Sequence, residues 1–238
     1  MNDKRRLGLI DDGDLNLTPS IKIRTETAAS ILVDADRAAG PIAMTTAMNA
    51  AVRKARDAGV GLGLVRATTH TAALGYYTLM AARHGVAALA LAASTPFMAY
   101  HGTRAPGVST NPVSIAVPGG ERGPVVLDMA TGVVARGKLV QARKTNQPIP
   151  AGWALDRDGN PTTDPQAALI PLPLGGPKGS GLSLMIELII NDGPEVIAGH
   201  ADPRFGRGRS CAGVAGRCVG VSSGAASIDV SNDGSHFA

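Results

Sequence analysis

A helical repeat of apolar residues is the clearest pattern in the chain. In the stretch PIAMTTAMNAAVRKARDAG, residues 41–59, apolar positions recur three or four residues apart, at Ala47, Met48, Ala51, Val52 and Ala55. Pro41 suits the first turn of a helix, and Gly59 suits its C-terminal stop. The stretch is therefore predicted to be an amphipathic helix.

Shorter apolar runs surround this helix. IKIRTE, SILVDAD, VGLGLVRA and VAALALAA have the length and apolar content of strands, whereas AALGYYTLMAARHG, VARGKLVQARK and GSGLSLMIELII have helical patterns. VSIAVP and PVVLDMA, separated by a GGERG turn, predict a hairpin. The alternation of strands and helices, considered alone, favours βαβ units and a parallel sheet.

Two segments lack such patterns. Residues 93–112 are too rich in Gly, Pro, Ser and Thr for regular structure, and irregular segments of that length are often functional. Residues 191–238 are rich in Gly, Ala, Ser and Arg, and we expect a poorly ordered tail there, with a short strand at 219–221 or 226–230 as the only regular element. The sequence thus predicts a lead segment over 1–20, a core over 21–190 and this tail.

Composition and charge narrow the class of protein. Hydrophobic residues make up 44% and aromatic residues only 3%, so the core must consist of Ala, Val, Leu and Ile. The net charge is +4, and its excess lies in the tail, at Arg204, Arg207, Arg209 and Arg217. We therefore expect no nucleic-acid partner. The absence of an apolar leader, of long apolar runs and of a cysteine framework predicts a cytoplasmic protein without a membrane partner.

His70 is the candidate catalytic residue. It follows a predicted strand and precedes a predicted helix, where rigid elements hold a side chain that a ligand can still reach. Imidazole exchanges protons near neutral pH, which suits acid–base catalysis. The alternative is a structural role, in which His70 caps the helix or bonds to the backbone. His101, in the irregular segment, is the rival candidate, and His84 is expected to end a helix.

Five motifs occur in an order and spacing that resemble one enzyme family. They are VRATTHTAALGYY, STPFMAYHGTRAPGVSTNPVSIAVP, VVLDMATGVVARGK, IPAGWALDRDGNPTTDP and LPLGGPKGSGLSLMIEL. Over residues 21–190 the chain resembles the malate/L-lactate dehydrogenase family, which comprises NAD(P)-dependent oxidoreductases unrelated to the Rossmann type. The resemblance implies a mixed, largely antiparallel sheet flanked by helices, instead of the parallel sheet, and a homodimer.

The resemblance also implies roles for individual residues. His70 matches the family's acid–base histidine, which takes a proton from a 2-hydroxy acid as it becomes a 2-keto acid. The cofactor, NAD or NADP, would be contacted by Ser94, Asp128, Met129, Ala130 and Lys178, and no metal site is predicted. A lysine beside a glycine-rich helix entry would offer positive charge and backbone N–H groups to a pyrophosphate. Without the resemblance, GGPKGSG is a flexible loop and Asp128 a helix N-cap.

The chain departs from the family in small and large ways. Ala72 and Ser109 replace glycines that the family favours, and Ser180 replaces a tyrosine. The family's N-terminal SHG-type segment has no counterpart before Ile21, and the sequence after Ile190 does not match. The alternative function is therefore a catalytically impaired remnant that binds a metabolite or a protein partner.

Overall fold

A seven-stranded mixed sheet forms the centre of the molecule. The computed structural model describes residues 13–191 and 214–222. The sheet has the strand order β1-β2-β3-β12-β4-β7-β8. Its strands are β1 Lys22–Glu26, β2 Ser30–Ala38, β3 Val60–Thr68, β4 Val86–Ala93, β7 Val113–Val117, β8 Val125–Met129 and β12 Val214–Ser222. The predicted mixed, largely antiparallel sheet is confirmed, since β2–β3 is the only parallel pair within it.

The directions of β2, β3 and β4 agree only in part with the parallel sheet that the apolar pattern predicted. β2 and β3 are parallel neighbours joined by a helix, which is the βαβ unit that the pattern favoured. β3 and β4 also run in the same direction, because both are antiparallel to β12, but β12 lies between them. The apolar pattern of residues 30–93 therefore predicts the directions of β2, β3 and β4 correctly. It is wrong only in making β3 and β4 neighbours in the sheet.

The tail carries a longer strand than the short one expected, because β12 spans Val214–Ser222. Its residues pair with β3 on one side and with β4 on the other, over nearly the whole length of each strand. The candidate strand at 219–221 lies within it, whereas the candidate at 226–230 lies outside the described residues. A central strand gains backbone hydrogen bonds on both edges, and this gain depends on distant partners that a local pattern does not show.

The first helix, α1 Gly40–Ala58, covers one face of the sheet. Its predicted apolar positions, Ala47, Met48, Ala51, Val52 and Ala55, are all buried. Gly59 ends the helix in the left-handed conformation, at φ 80°, as expected of a C-terminal glycine. Small side chains let the helix lie close to the sheet: a Cβ at Gly61 would stand 1.8 Å from the carbonyl oxygen of Ala51.

Helices lie on both faces of the sheet. α2 Gly75–Arg83 packs beside α1, and His84 is its C-cap residue, as predicted. α4 Pro177–Asn191 packs on the opposite face, where Ile186 and Ile190 contact Leu91 and Val113. This two-sided cover confirms the predicted mixed α/β class.

Smaller elements form a second layer around the main sheet. The irregular segment carries only the two short strands β5 Met98–Ala99 and β6 Pro106–Val108, which pair with each other. A three-stranded sheet contains β9 Ala154–Leu155, β10 Pro161–Thr162 and β11 Ile170–Pro171. It packs near α3 Arg136–Thr145 through a small core of Val134, Leu139, Ile149, Ala154 and Ala168.

Over residues 13–191 and 214–222, no helix combines the length and the apolar character that crossing a membrane requires.

Candidate active site

The turn that carries His70 is fixed to the N-terminus of α1. The Gly40 N–H donates to the Thr69 hydroxyl at 3.1 Å, and the Thr69 N–H donates to the Ala38 carbonyl at 3.2 Å. A Cβ at Gly40 would lie 2.3 Å from the carbonyl oxygen of His70, so only glycine fits at this contact. The backbone of His70 is therefore clamped, while its side chain is exposed.

The His70 ring makes a backbone contact of its own. The Ala72 N–H donates to Nδ1 of His70 at 3.0 Å, and the Tyr77 hydroxyl donates to the intervening Thr71 carbonyl. Ala72 has a φ of 60°, in the left-handed region. The exposed ring agrees with a catalytic role, and the bond to Ala72 agrees with the structural alternative, so the two interpretations are compatible.

Asp128 joins the sheet to the helix that follows this turn. It lies in β8, and its carboxylate accepts the N–H of Gly75, the first residue of α2, at 2.7 Å. A Cβ at Gly75 would lie 2.8 Å from that oxygen. The alternative of Asp128 as the N-cap of a helix that follows it in the sequence is wrong, because Asp128 belongs to a strand. Its carboxylate does cap a helix, however, from a neighbouring element.

The glycine turn before α4 uses its own N–H groups. Gly175 and Gly176 are left-handed, with φ of 57° and 61°. The N–H groups of Lys178, Gly179 and Ser180 donate to preceding carbonyls at 3.4, 2.8 and 3.1 Å, and Pro177 has no N–H. These three N–H groups are therefore already bonded within the turn, so the expected contact with a pyrophosphate depends mainly on the exposed side chain of Lys178.

His101, the rival histidine, packs against the same glycine turn. A Cβ at Gly176 would lie 3.2 Å from Nδ1 of His101. The backbone N–H of His101 donates to the hydroxyl of Ser180 at 2.7 Å, and Ser180 is fully buried. This departure from the family's tyrosine thus has a structural role, because a small hydroxyl closes the loop against α4.

The segment Asp128, Met129 and Ala130 leads directly to the lysine turn. Thr131, the next residue, accepts the N–H of Leu174 on its carbonyl at 2.9 Å, and a Cβ at Gly179 would stand 2.7 Å from that oxygen. Met129 packs towards the core formed with α4. This segment therefore contacts Gly75 of α2 through Asp128 and the turn of Lys178 through Thr131.

Ser94 lies at the edge of a buried polar network. Its hydroxyl bonds to that of Ser109 at 2.7 Å, and the Ser109 carbonyl accepts the Ser183 hydroxyl at 2.7 Å. Asn111 donates to the Ser183 carbonyl at 2.9 Å and to Glu187 at 2.6 Å. Asn111 organises its loop by tying it to α4. Ser183 and Glu187 were missed, although their spacing on one helix face was a usable signal.

Two basic residues share a carboxylate close to the His70 turn. Asp34 lies 2.8 Å from Arg66 and 3.0 Å from Arg24. Burial alone would raise the pKa of Asp34, but hydrogen bonds from Arg66, from the backbone N–H of Asp36 and from Arg24 outweigh this effect and hold the pKa below its ordinary value. This ion-pair group ties β1, β2 and β3 together four residues before His70.

Comparison with known proteins gives a family match over most of the chain. A family model described as "Malate/L-lactate dehydrogenase" matches residues 4–191. The match begins before the expected boundary at Ile21, so the lead segment is not foreign to the family. There, Asn16 donates to the Asp36 carboxylate at 2.9 Å, which anchors the segment to β2.

Curated relatives are dehydrogenases of hydroxy acids by name. The malate dehydrogenase of Pyrococcus horikoshii is 38% identical over 196 residues, covering 78% of this chain and 54% of the relative. The L-sulfolactate dehydrogenase of Methanocaldococcus jannaschii is 40% identical over 179 residues, covering 74% and 52%. The chain thus spans about half the length of the curated relatives it matches.

Solved structures share the fold. The sulfolactate dehydrogenase from Methanocaldococcus jannaschii superposes with a TM-score of 0.74 at 32% identity, covering 92% of this chain and 63% of that one. The Δ1-piperideine-2-carboxylate reductase from Pseudomonas syringae pvar. tomato gives 0.78 at 30% identity, covering 91% and 67%. With sequence motifs, family match and fold in agreement, this chain belongs to the malate/L-lactate dehydrogenase family.

Proposed function

We propose that the protein is an NAD(P)-dependent oxidoreductase that interconverts a small 2-hydroxy acid and its 2-keto acid, with His70 as the acid–base group. The observation that carries this proposal is the mounting of His70: its backbone is clamped between α1 and α2, and its imidazole is exposed. Malate and sulfolactate, in the names of the relatives, are both 2-hydroxy acids.

The residues proposed to contact the cofactor fit a nicotinamide dinucleotide by their chemistry. Lys178 supplies an exposed ammonium for a pyrophosphate, Asp128 an exposed carboxylate for a ribose hydroxyl, and Ser94 a partly exposed hydroxyl. Ala130 adds a small side chain that lets a flat ring approach, and Met129 adds backbone at the end of β8. The dinucleotide supplies the acceptor and donor of hydride when bound. His70 would hold the proton that balances each transfer.

The choice between NAD and NADP belongs to the same proposal. The ureidoglycolate dehydrogenase of Escherichia coli, 36% identical over 180 residues, carries NAD(+) in its name. This favours NAD, and a direct comparison of the two reduced cofactors tests it. We also propose that the protein is cytoplasmic.

We further propose a homodimer, because one side of α4 and the end of the sheet are apolar and exposed. Ile186 and Ile190 of α4 face the core, whereas other apolar residues of the helix are exposed. They are Leu182, Leu184, Met185, Leu188 and Ile189. Ile115 and Leu127, paired across β7 and β8, are also exposed and supply further apolar surface. Sedimentation analysis showing only a monomer at micromolar concentration would remove the dimer from the proposal.

Cofactor binding and turnover are tested separately. We expect NADH to change its fluorescence saturably on titration into the protein, and to be oxidised when a 2-keto acid such as pyruvate or oxaloacetate is added. The His70→Ala variant should keep the fluorescence change and lose turnover. A protein that binds neither NADH nor NADPH would contradict the oxidoreductase proposal and support the remnant alternative.

A further inference from the structure

Two strained alanines stand on either side of His70. Ala67, at the end of β3, has a φ of 50°, and Ala72, at the entry to α2, has a φ of 60°. In the left-handed region the Cβ of such a residue comes too close to the following carbonyl oxygen, so the conformation is strained. Such conformations persist where the surroundings over-determine them, and they concentrate at functional sites.

The surroundings of Ala72 do over-determine its conformation. One residue before it, the Thr71 carbonyl accepts the Tyr77 hydroxyl, and Tyr77 is fully buried. Three residues before it, Thr69 is bonded to Gly40. The chain must therefore turn sharply between two fixed points, and the left-handed residue makes that turn.

The turn aims a backbone donor at the imidazole. The Ala72 N–H donates to Nδ1 of His70 at 3.0 Å. An N–H group can only donate, so Nδ1 must offer a lone pair. A neutral imidazole has one N–H, and it must then be on Nε2.

We propose that Ala72 is a positioning residue that selects the tautomer of His70, with Nδ1 as acceptor and the proton on Nε2. The catalytic consequence rests on the proposed function. A keto oxygen is a hydrogen-bond acceptor, which an Nε2–H suits. A hydroxy acid must instead give its proton to a bare nitrogen, and a bare Nε2 requires the proton on Nδ1, opposite the Ala72 N–H. The Nε2–H thus suits binding of the keto acid, but a neutral ring that gave up this proton would become an imidazolate. Proton transfer in either direction passes between the Nδ1–H tautomer and the imidazolium, which both carry a proton on Nδ1. Reduction and oxidation alike therefore require the Ala72 N–H to move away first.

The tautomer can be read directly from the protein without cofactor or substrate. Protein labelled with ¹⁵N-histidine is studied by long-range ¹H–¹⁵N correlation at a pH where the imidazoles are neutral, and a His70→Gln variant assigns the His70 signals. We expect an unprotonated-type Nδ1 and a protonated-type Nε2. The opposite tautomer, or an even mixture, overturns the proposal.

Variants at the two alanines test whether Ala72 is responsible. Both alanines are exposed, so valine fits either site sterically, but a β-branched residue strongly disfavours a positive φ. Ala72→Val should turn the N–H away and abolish the tautomer preference. Ala67→Val is the matched control, with the same strain at a similar φ, and should retain it. Equal retention in both variants, or equal loss, removes the role assigned to Ala72.

A third variant serves if the valine variants do not fold. Ala72→Gly keeps the N–H and accepts the positive φ without strain, so it should retain the wild-type tautomer. Loss of the preference in this variant would contradict the proposal. Because these spectra need neither NADH nor turnover, a failed cofactor titration would leave the tautomer result intact.

Discussion

The carboxylate of Asp128 accepts the backbone N–H of Gly75 at 2.7 Å, so that a strand residue caps the helix that follows the His70 turn. The contact links β8 to α2 across a sequence separation of 53 residues. It explains why Gly75 lacks a side chain, since a Cβ would meet the carboxylate at 2.8 Å. One residue pair thereby relates the candidate catalytic turn to the candidate cofactor segment.

Loss of this cap should destabilise the protein. Asp128→Ala removes the acceptor of a helix N-terminal N–H, and we expect the free energy of unfolding to fall by about 1 kcal/mol. Urea denaturation measures the change. Asp158→Ala, in an exposed loop, is the control and should have a smaller effect. An Asp128→Ala variant as stable as the wild type would show that the bond contributes nothing.

Glycine at position 72 should stabilise the protein. Ala72→Gly removes the penalty of a left-handed alanine, and after the entropy cost of glycine we expect a gain of about 0.5–1 kcal/mol in the free energy of unfolding. Ala73→Gly, at the adjacent exposed alanine without a positive φ, should cost stability instead. The same sign of change for both variants in thermal or urea denaturation would contradict the backbone strain.

Asp34 should make stability depend on pH in the acid range. Its pKa in the folded protein lies below the ordinary 3.8, so the carboxylate's contribution is complete above that value and is lost as the pH falls through the lower folded value. We expect wild type to lose more unfolding free energy than Asp34→Asn between pH 6 and pH 2.5. The control Asp57→Asn, at an exposed carboxylate, should follow the wild-type curve. Parallel curves for wild type and Asp34→Asn would contradict the prediction.

Ser109 should restrain Ser94. The two hydroxyls bond at 2.7 Å, and the family favours glycine at position 109. Removing a competing hydrogen bond of about 0.5–1.5 kcal/mol should tighten NADH binding about two- to tenfold in Ser109→Ala. The double variant Ser94→Ala/Ser109→Ala should lose this gain, which fluorescence titration can measure. A gain that survives in the double variant would mean that Ser94 does not contact the cofactor.

Lys178 should bind NADH mainly through its charge, because its own N–H and those of Gly179 and Ser180 are already bonded. We expect Lys178→Gln to weaken NADH binding about two- to fivefold, as for an exposed ion pair, and to flatten its salt dependence. Lys144→Gln, at an exposed lysine of α3, is the control and should leave both unchanged. Equal effects from the two variants would indicate a general charge effect instead of a specific contact.

Local pattern determined much of this protein. The buried face of α1, the hairpin of β7 and β8, and the C-cap at His84 all follow from residues within a few positions of one another. Apolar periodicity indicates which side of a helix or strand faces the core. Capping residues indicate where the unpaired N–H and C=O groups of a helix end need hydrogen-bond partners. The five motifs, in their order and spacing, also sufficed to identify the family.

Only the tertiary structure decided how these elements meet. In the folded chain, β12 lies between β3 and β4, and Asp128 accepts the N–H of Gly75. The N–H groups that follow Pro177 donate to carbonyls of their own turn. Each of these depends on which distant backbone groups come within hydrogen-bonding distance. The sequence of a short segment shows which polar groups need a hydrogen-bond partner, but several partners could satisfy them. Which partner is used depends on how the whole chain packs.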